Sequence, residues 1–66
     1  MTKYERNLKD AQEGNEIEVL KDYDQKIREQ KIRQNASKNG FIKTCCQQEI
    51  DRLTDERNRI EMAVAG

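Results

Sequence analysis

The sequence contains no proline, histidine or tryptophan, and it has three glycines in 66 residues. Glycine and proline are the strongest local breakers of helices and strands, so two long stretches of this chain run without interruption. The glycines are Gly14, Gly40 and Gly66, and they divide the chain into a short piece and two longer ones. This spacing predicts an all-α protein in which a short N-terminal helix precedes two long helices.

The absence of histidine removes the commonest general base and the commonest metal ligand. The two cysteines, Cys45 and Cys46, are adjacent, a spacing that suits neither a disulfide within a helix nor a zinc site. The sequence also lacks a glycine-rich phosphate loop and a nucleophile with a plausible base. We therefore expect no enzymatic activity, no cofactor and no metal. In this interpretation Cys46 is a small apolar packing residue and Cys45 is its partly exposed neighbour.

The chain is small and poor in apolar side chains, with 33% hydrophobic residues, 39% charged residues and one phenylalanine. Domains below roughly 70–80 residues usually need disulfides, a metal or oligomerisation to be stable. Because the first two routes are poor here, we expect a homo-oligomer, with a dimer favoured. No apolar run approaches the roughly 20 residues of a membrane span, and the first residues carry no apolar signal-peptide core. We expect a cytoplasmic protein that makes no membrane contact.

The N-terminal piece has the pattern of a short helix. Residues 2–5 read Thr-Lys-Tyr-Glu, a capping box in which the Thr and Glu side chains satisfy backbone N–H groups reciprocally. Tyr4, Leu8 and Ala11 then recur at spacings of four and three, which is typical of one helix face. These signals predict a helix over about residues 2–13.

Gly14 has two interpretations. It can end the first helix, in which case Asn15, followed by Glu18, caps a second helix over about residues 16–37. Alternatively, one helix runs through Gly14 at a cost of about 1 kcal/mol. Because the stop signal and the start signal agree, we favour a break.

The boundary between the two long helices is predicted at Asn39 and Gly40. This pair is typical of a left-handed helix end, and it gives a turn over about residues 38–41 and a third helix over about residues 42–64. That helix starts between Phe41 and Thr44, where Thr44 and Gln47 offer another capping box. In this conformation, Gly40→Val is expected to destabilise the protein by on the order of 1–2 kcal/mol.

Apolar residues of the two long helices recur at helical spacing and form one stripe on each, which we call the core seam. If the helices fold back as an antiparallel hairpin, facing seam residues have numbers that add up to 77, with a midpoint beside the predicted turn. Each helix is too poor in apolar residues to form a core alone, so two hairpins are expected to pair as a four-helix bundle or coiled coil. The predicted core and self-association seam comprises Ile17, Leu20, Tyr23, Ile27, Ile42, Cys46, Ile50, Leu53, Arg57, Ile60 and Val64.

Arg57 is the one charged member of the core seam. It either fixes the pairing register through a carboxylate, as buried polar residues do in coiled coils, or extends along its methylenes to solvent. The candidate carboxylates are Glu16, Glu56 and Glu61.

Charge is unevenly distributed although the formal net charge is zero. Residues 1–20 and 44–66 each carry a net −2, and residues 21–43 carry +4. This basic segment includes Lys-Ile-Arg twice, which is typical either of a phosphate-binding face or of a solvated helix with internal ion pairs. The expected acid-before-base pairs at i, i+4 are Asp22–Lys26, Asp24–Arg28, Glu29–Arg33 and, in the third helix, Asp55–Arg59. The candidate contacts to a protein partner or nucleic acid are Lys26, Arg28, Lys31, Arg33, Lys38, Lys43, Phe41 and Tyr4.

These patterns favour a helical protein–protein interaction module that acts on a partner protein as a regulator, inhibitor or assembly factor. The small size suits a product of a phage or mobile element. Two alternatives remain open: a nucleic-acid-binding regulator that uses residues 21–43, and a structural coiled-coil spacer. The expected architecture is similar to that of small plasmid-encoded RNA-binding helical-hairpin dimers, an analogy of fold alone.

Overall fold

The computed structural model describes residues 2–65, and Gly66, the last of the three glycines, lies outside them. The described residues form helices and no strands, which confirms the predicted all-α class. A π-helical turn, Ala11–Asn15, joins the first two helices, and residues 37–39 join the last two. The helices are α1 (Lys3–Asp10), α2 (Glu16–Ala36) and α3 (Gly40–Ala65).

Helices α2 and α3 pack side by side and antiparallel. Next to the turn, the Gln34 Nε2 donates to the Lys43 carbonyl oxygen at 3.1 Å and to the Gln47 Oε1 at 3.0 Å. Farther along, Tyr23 of α2 donates a hydrogen bond to Glu56 of α3 at 3.3 Å. The described residues measure 41 × 19 × 19 Å, and the long dimension matches the roughly 39 Å expected for the 26 residues of α3 at 1.5 Å per residue.

The observed cross-helix hydrogen bonds do not share one register. Gln34 bonds both Lys43 and Gln47, pairs whose numbers add up to the predicted 77 and to 81, and Arg57 bonds Asp24, a pair that adds up to 81. These bonds place the register within about one helical turn of the prediction, because long polar side chains reach along the helix axis. Polar contacts between the helices, which apolar spacing does not reveal, accompany the register that forms.

The turn between α2 and α3 corrects three predictions. Helix α3 begins at Gly40, rather than between Phe41 and Thr44, and Gly40 does not adopt a positive φ. Asn39 precedes the helix, and its side-chain Oδ1 accepts a hydrogen bond from the backbone N–H of Phe41 at 2.8 Å. Thr44 does not cap the helix, because its hydroxyl donates to the Gly40 carbonyl within the first turn. The expected left-handed end at Asn39 and Gly40 is therefore wrong: an Asn side chain caps the start of α3.

Gly14 is the described glycine that adopts a positive φ, at 107°. This residue breaks the helical path, so α1 folds back along α2. Asn15 makes no side-chain capping bond, so that prediction was wrong. At the other end of α1 the Thr2 hydroxyl accepts the Glu5 backbone N–H at 3.1 Å, as the capping box predicts. The second bond of the capping box differs from the prediction, because the Glu5 carboxylate accepts from the Thr2 hydroxyl instead of from a backbone N–H.

The core lies where α1 meets the open end of the α2–α3 pair. Ala11, Tyr23, Leu53 and Ile60 form one buried cluster there, and Ile60 is fully buried. Cys46 and Ile50 are buried nearer the turn. Partly buried side chains around the cluster are Tyr4, Leu8, Val19, Leu20, Ile27 and Val64.

Ile17 does not join the core, although the seam predicted it there: 81% of it is exposed. It lies six residues before the buried Tyr23, which is about 120° away around the helix. Val19 and Leu20 occupy the inward positions of that turn instead. The missing signal was the reversal at Gly14, which brings α1 onto the side of α2 that Val19 and Tyr23 share.

Candidate functional site

Helix α1 covers one half of the groove between α2 and α3 and leaves the half near the turn open. Its Lys3 and Asn7 line a cavity together with residues of both long helices, at the level of Tyr23 and Leu53. The open half has a volume of about 320 Å³, and we call it the turn groove. It is lined by Gln30, Arg33, Phe41, Ile42, Cys45, Cys46 and Glu49.

The turn groove is apolar at its centre and charged at its edge. Cys46 is buried and Ile42 is half-buried, whereas 76% of Phe41 is exposed. Both cysteines are free thiols, with Cys45 exposed as expected for the neighbour of a packing residue. The turn groove therefore places a large exposed apolar side chain beside a buried apolar one.

Two charged residues, Glu49 and Arg33, lie at the edge of the turn groove, and only Glu49 has an ion-pair partner within residues 2–65. Arg52 of α3 hydrogen-bonds the Glu49 carboxylate through two of its nitrogens, and this contact holds the pKa of Glu49 below its ordinary value. Arg33 is exposed, and within residues 2–65 it has no ion-pair partner. The edge of the groove thus presents one available positive charge.

A polar contact joins all three helices beside the core. The Tyr23 hydroxyl accepts from the Asn7 Nδ2 at 3.0 Å and donates to the Glu56 Oε2 at 3.3 Å. Burial raises the pKa of Tyr23, and the nearby Glu56 carboxylate adds to this effect. Tyr23 was expected in the core seam, and its hydroxyl also links α1 to both long helices through hydrogen bonds.

The charged groups around this polar contact compensate one another. Lys26 forms an ion pair with Asp22 at 3.0 Å, and Arg52 is also 3.1 Å from Glu56. Lys3 lies against Lys26, and the adjacent ammonium lowers the pKa of Lys3. With three acidic residues lining the same cavity, this cluster is suited to holding α1 rather than to binding an anion.

Arg57 has one of its predicted partners and one that was not predicted. Its guanidinium bonds Asp24 of α2 at 2.6 Å and Glu61 of its own helix at 3.1 Å. The hydrogen bond to Asp24 raises the pKa of Arg57. No sequence pattern identified Asp24 as a partner of Arg57, because the i, i+4 rule pairs Asp24 with Arg28.

The basic candidates are distributed around the turn, and most of them stay free of carboxylates. Lys26 is paired as predicted, and Asp55–Arg59 also forms at 3.0 Å. The expected pairs Asp24–Arg28 and Glu29–Arg33 do not form, since Asp24 binds Arg57 and Glu29 accepts from Gln25. Of the six basic candidates, five are exposed and have no ion-pair partner within residues 2–65: Arg28, Lys31, Arg33, Lys38 and Lys43.

Tyr4, the last candidate contact, is half-buried against the core cluster and serves as a packing residue of α1. Sequence reasoning missed Asn7 and Gln34, whose side chains link the helices. Gln34 follows Ile27 by seven residues and so lies on the same face of α2 as the core seam. A polar residue on that face was the available signal for an inter-helix hydrogen bond.

Among residues 2–65 no group of three or more cysteine, aspartate and glutamate side chains is arranged to hold a metal ion. None of the described helices is both long enough and apolar enough to cross a membrane. No protein-family model, curated protein or solved structure matches this chain.

Proposed function

We propose that this chain is a small helical protein-interaction module, which self-associates and acts on a partner protein as a regulator, inhibitor or assembly factor. The observation that carries the proposal is Phe41, 76% exposed at the edge of the turn groove. An exposed aromatic side chain next to an apolar recess is typical of a binding hot spot.

The distribution of apolar side chains supports an interaction role. Six apolar residues within the described range 2–65 are buried, whereas Ile17, Ile32, Phe41 and Met62 are between 62% and 81% exposed. For so small a chain, a core of this size provides little stabilisation, and large apolar side chains left in water favour association. A homodimer that covers part of this surface is therefore part of the proposal.

The partner suited to the turn groove is an amphipathic helix. Such a helix inserts apolar anchors at i, i+3 and i+4 into a groove between two helices. The available Arg33 at the edge, and the four other exposed cations near the turn, favour a helix with acidic residues flanking its anchors. Residues 28–50 carry five basic and two acidic side chains, a net +3, so the electrostatic field also draws acidic segments towards this end.

This proposal is tested by substituting two side chains that are equally exposed, one at the turn groove and one away from it. Phe41→Ala removes the side chain at the groove, and Met62→Ala removes one that is also 76% exposed but does not line the groove. Affinity capture from the native host should recover a protein with the wild type and with Met62→Ala. We expect Phe41→Ala to lose it, with affinity reduced at least tenfold when the purified pair is measured. Capture that is indifferent to both changes would contradict the groove as the binding site.

A second candidate function, nucleic-acid binding, is supported by a separate observation: the five basic side chains of residues 28–43 are exposed and have no ion-pair partner within residues 2–65. Phosphate contacts by such side chains make affinity fall steeply as salt rises. A titration with duplex DNA and with single-stranded and hairpin RNA between about 50 and 200 mM salt tests this function. Binding at low salt that weakens on Lys31→Gln and Lys38→Gln supports it, and no binding at about 50 mM salt rejects it.

A further inference from the structure

Helix α1 is held to the rest of the protein by two separable features, a docking surface and a hinge. The docking surface is the open end of the α2–α3 groove, where Tyr4, Leu8 and Ala11 pack against the core. The hinge is the π-helical turn Ala11–Asn15, in which Gly14 has a φ of 107° and Asn15, with φ −96° and ψ 24°, is also outside the helical region.

We propose that α1 exchanges between two copies of this chain, so that the α1 of each copy docks in the α2–α3 groove of the other. The proposal rests on the self-association proposed above and specifies its geometry. The occupant of the groove is in both states the same segment, Lys3–Asp10, and the partner is a second copy of this chain.

The docking contacts are the same in the closed monomer and in the exchanged dimer. The packing of Tyr4 and Leu8 against the core and the Asn7–Tyr23 hydrogen bond depend on α1 lying in a groove, and an identical second copy supplies the same groove. Exchange of an identical element therefore has a low cost, and the hinge segment decides which state is favoured.

The hinge has a second conformation that favours the exchanged state. If Gly14 takes helical angles, α1 and α2 become one continuous helix from residue 3 to residue 36, and α1 moves away from its own hairpin. Asn15 must also change from φ −96° and ψ 24°, whereas the other residues of the turn already have helical angles. Such opening exposes Ala11, Tyr23, Leu53 and Ile60, which are at most 5% exposed in the closed form. A second α1 that covers them again restores the same burial.

Substitution of Gly14 separates the two states. A Cβ placed on Gly14 meets no atom within 4 Å, so Gly14→Ala causes no clash, but its φ of 107° is strained for alanine. The continuous helix removes this strain and benefits from the higher helix propensity of alanine. Gly40→Ala is the matched control, since Gly40 is already helical and its added Cβ also meets nothing.

Analytical ultracentrifugation measures the dimer dissociation constant of each variant. Because a dimer contains two hinges, we expect Gly14→Ala to lower it at least roughly a hundredfold and Gly40→Ala to leave it within about twofold. A Gly14→Ala protein that stays monomeric at the concentration where the wild type dimerises overturns the proposal.

Cross-linking between chains tests the geometry without any change at the hinge. The exposed Cys45 is replaced by serine, and buried Cys46 is left in place. One chain then carries Lys3→Cys and a second, mass-tagged chain carries Lys26→Cys, at two positions that lie side by side in the closed form. After mixing at dimer-forming concentration, a short bis-maleimide should link the two chains. A control chain with Lys31→Cys, on another face of α2, should link much less.

A failure of α1 exchange can be told apart from a failure of self-association. If no dimer forms at any concentration, self-association and α1 exchange both fail. If a dimer forms but the Lys3→Cys and Lys26→Cys chains link no more than the Lys31→Cys control, α1 exchange fails while the dimer stands. Preferential linking of the first pair, stronger in the Gly14→Ala background, supports the exchange.

Discussion

Arg57 of α3 binds Asp24 of α2 through its Nε at 2.6 Å, and this is the one ion pair that bridges the two long helices within residues 2–65. The Arg57 side chain is 25% exposed, and that of Asp24 is 58% exposed. Solvent therefore weakens the attraction, but the partly covered guanidinium still needs a carboxylate. The pair joins one turn of α2 to the facing turn of α3.

We expect a double-mutant cycle with Asp24→Asn and Arg57→Met to give a coupling free energy of about 0.2–1 kcal/mol, the usual range for exposed ion pairs. Urea unfolding followed by circular dichroism measures the four proteins. The coupling should shrink as salt is raised towards 1 M, because the Debye length falls to roughly 3 Å. A coupling that is absent at low salt would show that this contact does not contribute to the register.

The sequence was sufficient to predict the helical class and most of the buried side of α3. Cys46, Ile50, Leu53 and Ile60 were expected in the core and are buried. Their spacing follows one uninterrupted helix, so a single periodicity defines the face. The inward face of α2 was predicted less well, because it depends on the position of α1 as well as that of α3.

The two glycines show why local signals were insufficient. Asn-Gly at the second turn has the composition of a left-handed helix end, but the Asn side chain is used instead to cap the next helix. Gly14 has the positive φ, in a turn where the neighbouring Asn15 makes no capping bond. Glycine and asparagine stand next to each other at both sites, and packing between helices decides which geometry each site adopts.

Removal of the Tyr23 hydroxyl should weaken the attachment of α1. Tyr23→Phe keeps the buried ring but loses the hydrogen bonds with Asn7 and Glu56. We expect a loss of about 0.5–1.5 kcal/mol in unfolding free energy, a decrease of several degrees in Tm for a domain of this size. Tyr4→Phe is the control, since within the described residues its hydroxyl forms no hydrogen bond. Equal effects of both changes would contradict the role of the Tyr23 hydroxyl.

Ionisation of Tyr23 should lower the stability of the protein at alkaline pH. Burial raises the pKa of Tyr23 above its ordinary value of 10.0, so the folded state favours the neutral phenol. Its contribution is fully present below about pH 10 and is lost as pH rises through the higher folded pKa. Urea midpoints measured from pH 8 to 11 should fall more steeply for the wild type than for Tyr23→Phe. Parallel profiles would mean that Tyr23 ionises equally well in both states.

Asn39 and Gly40 should respond in opposite ways to alanine. Asn39→Ala removes the acceptor of the Phe41 N–H, and loss of a helix N-cap costs about 1 kcal/mol. Gly40→Ala places alanine at the first position of α3 without a clash and should stabilise the protein by about 0.4–1 kcal/mol. Thermal melts of the two variants decide this. A strongly destabilised Gly40→Ala protein would restore the left-handed turn that the sequence first suggested.

The contact between Glu49 and Arg52 should make the protein less stable in acid. Its hydrogen bond to Arg52 lowers the carboxyl pKa from its ordinary value of 4.5, so the folded state favours the ionised form. The resulting stabilisation is present above about pH 4.5 and is lost as pH falls through the lower folded pKa. Urea midpoints between pH 7 and pH 2 should therefore decline, and Glu49→Gln should decline less across that interval. The control is Arg52→Gln, which removes the cation. In that background Glu49→Gln should change the acid profile little, and a full effect there would assign the pKa shift to a group other than Arg52.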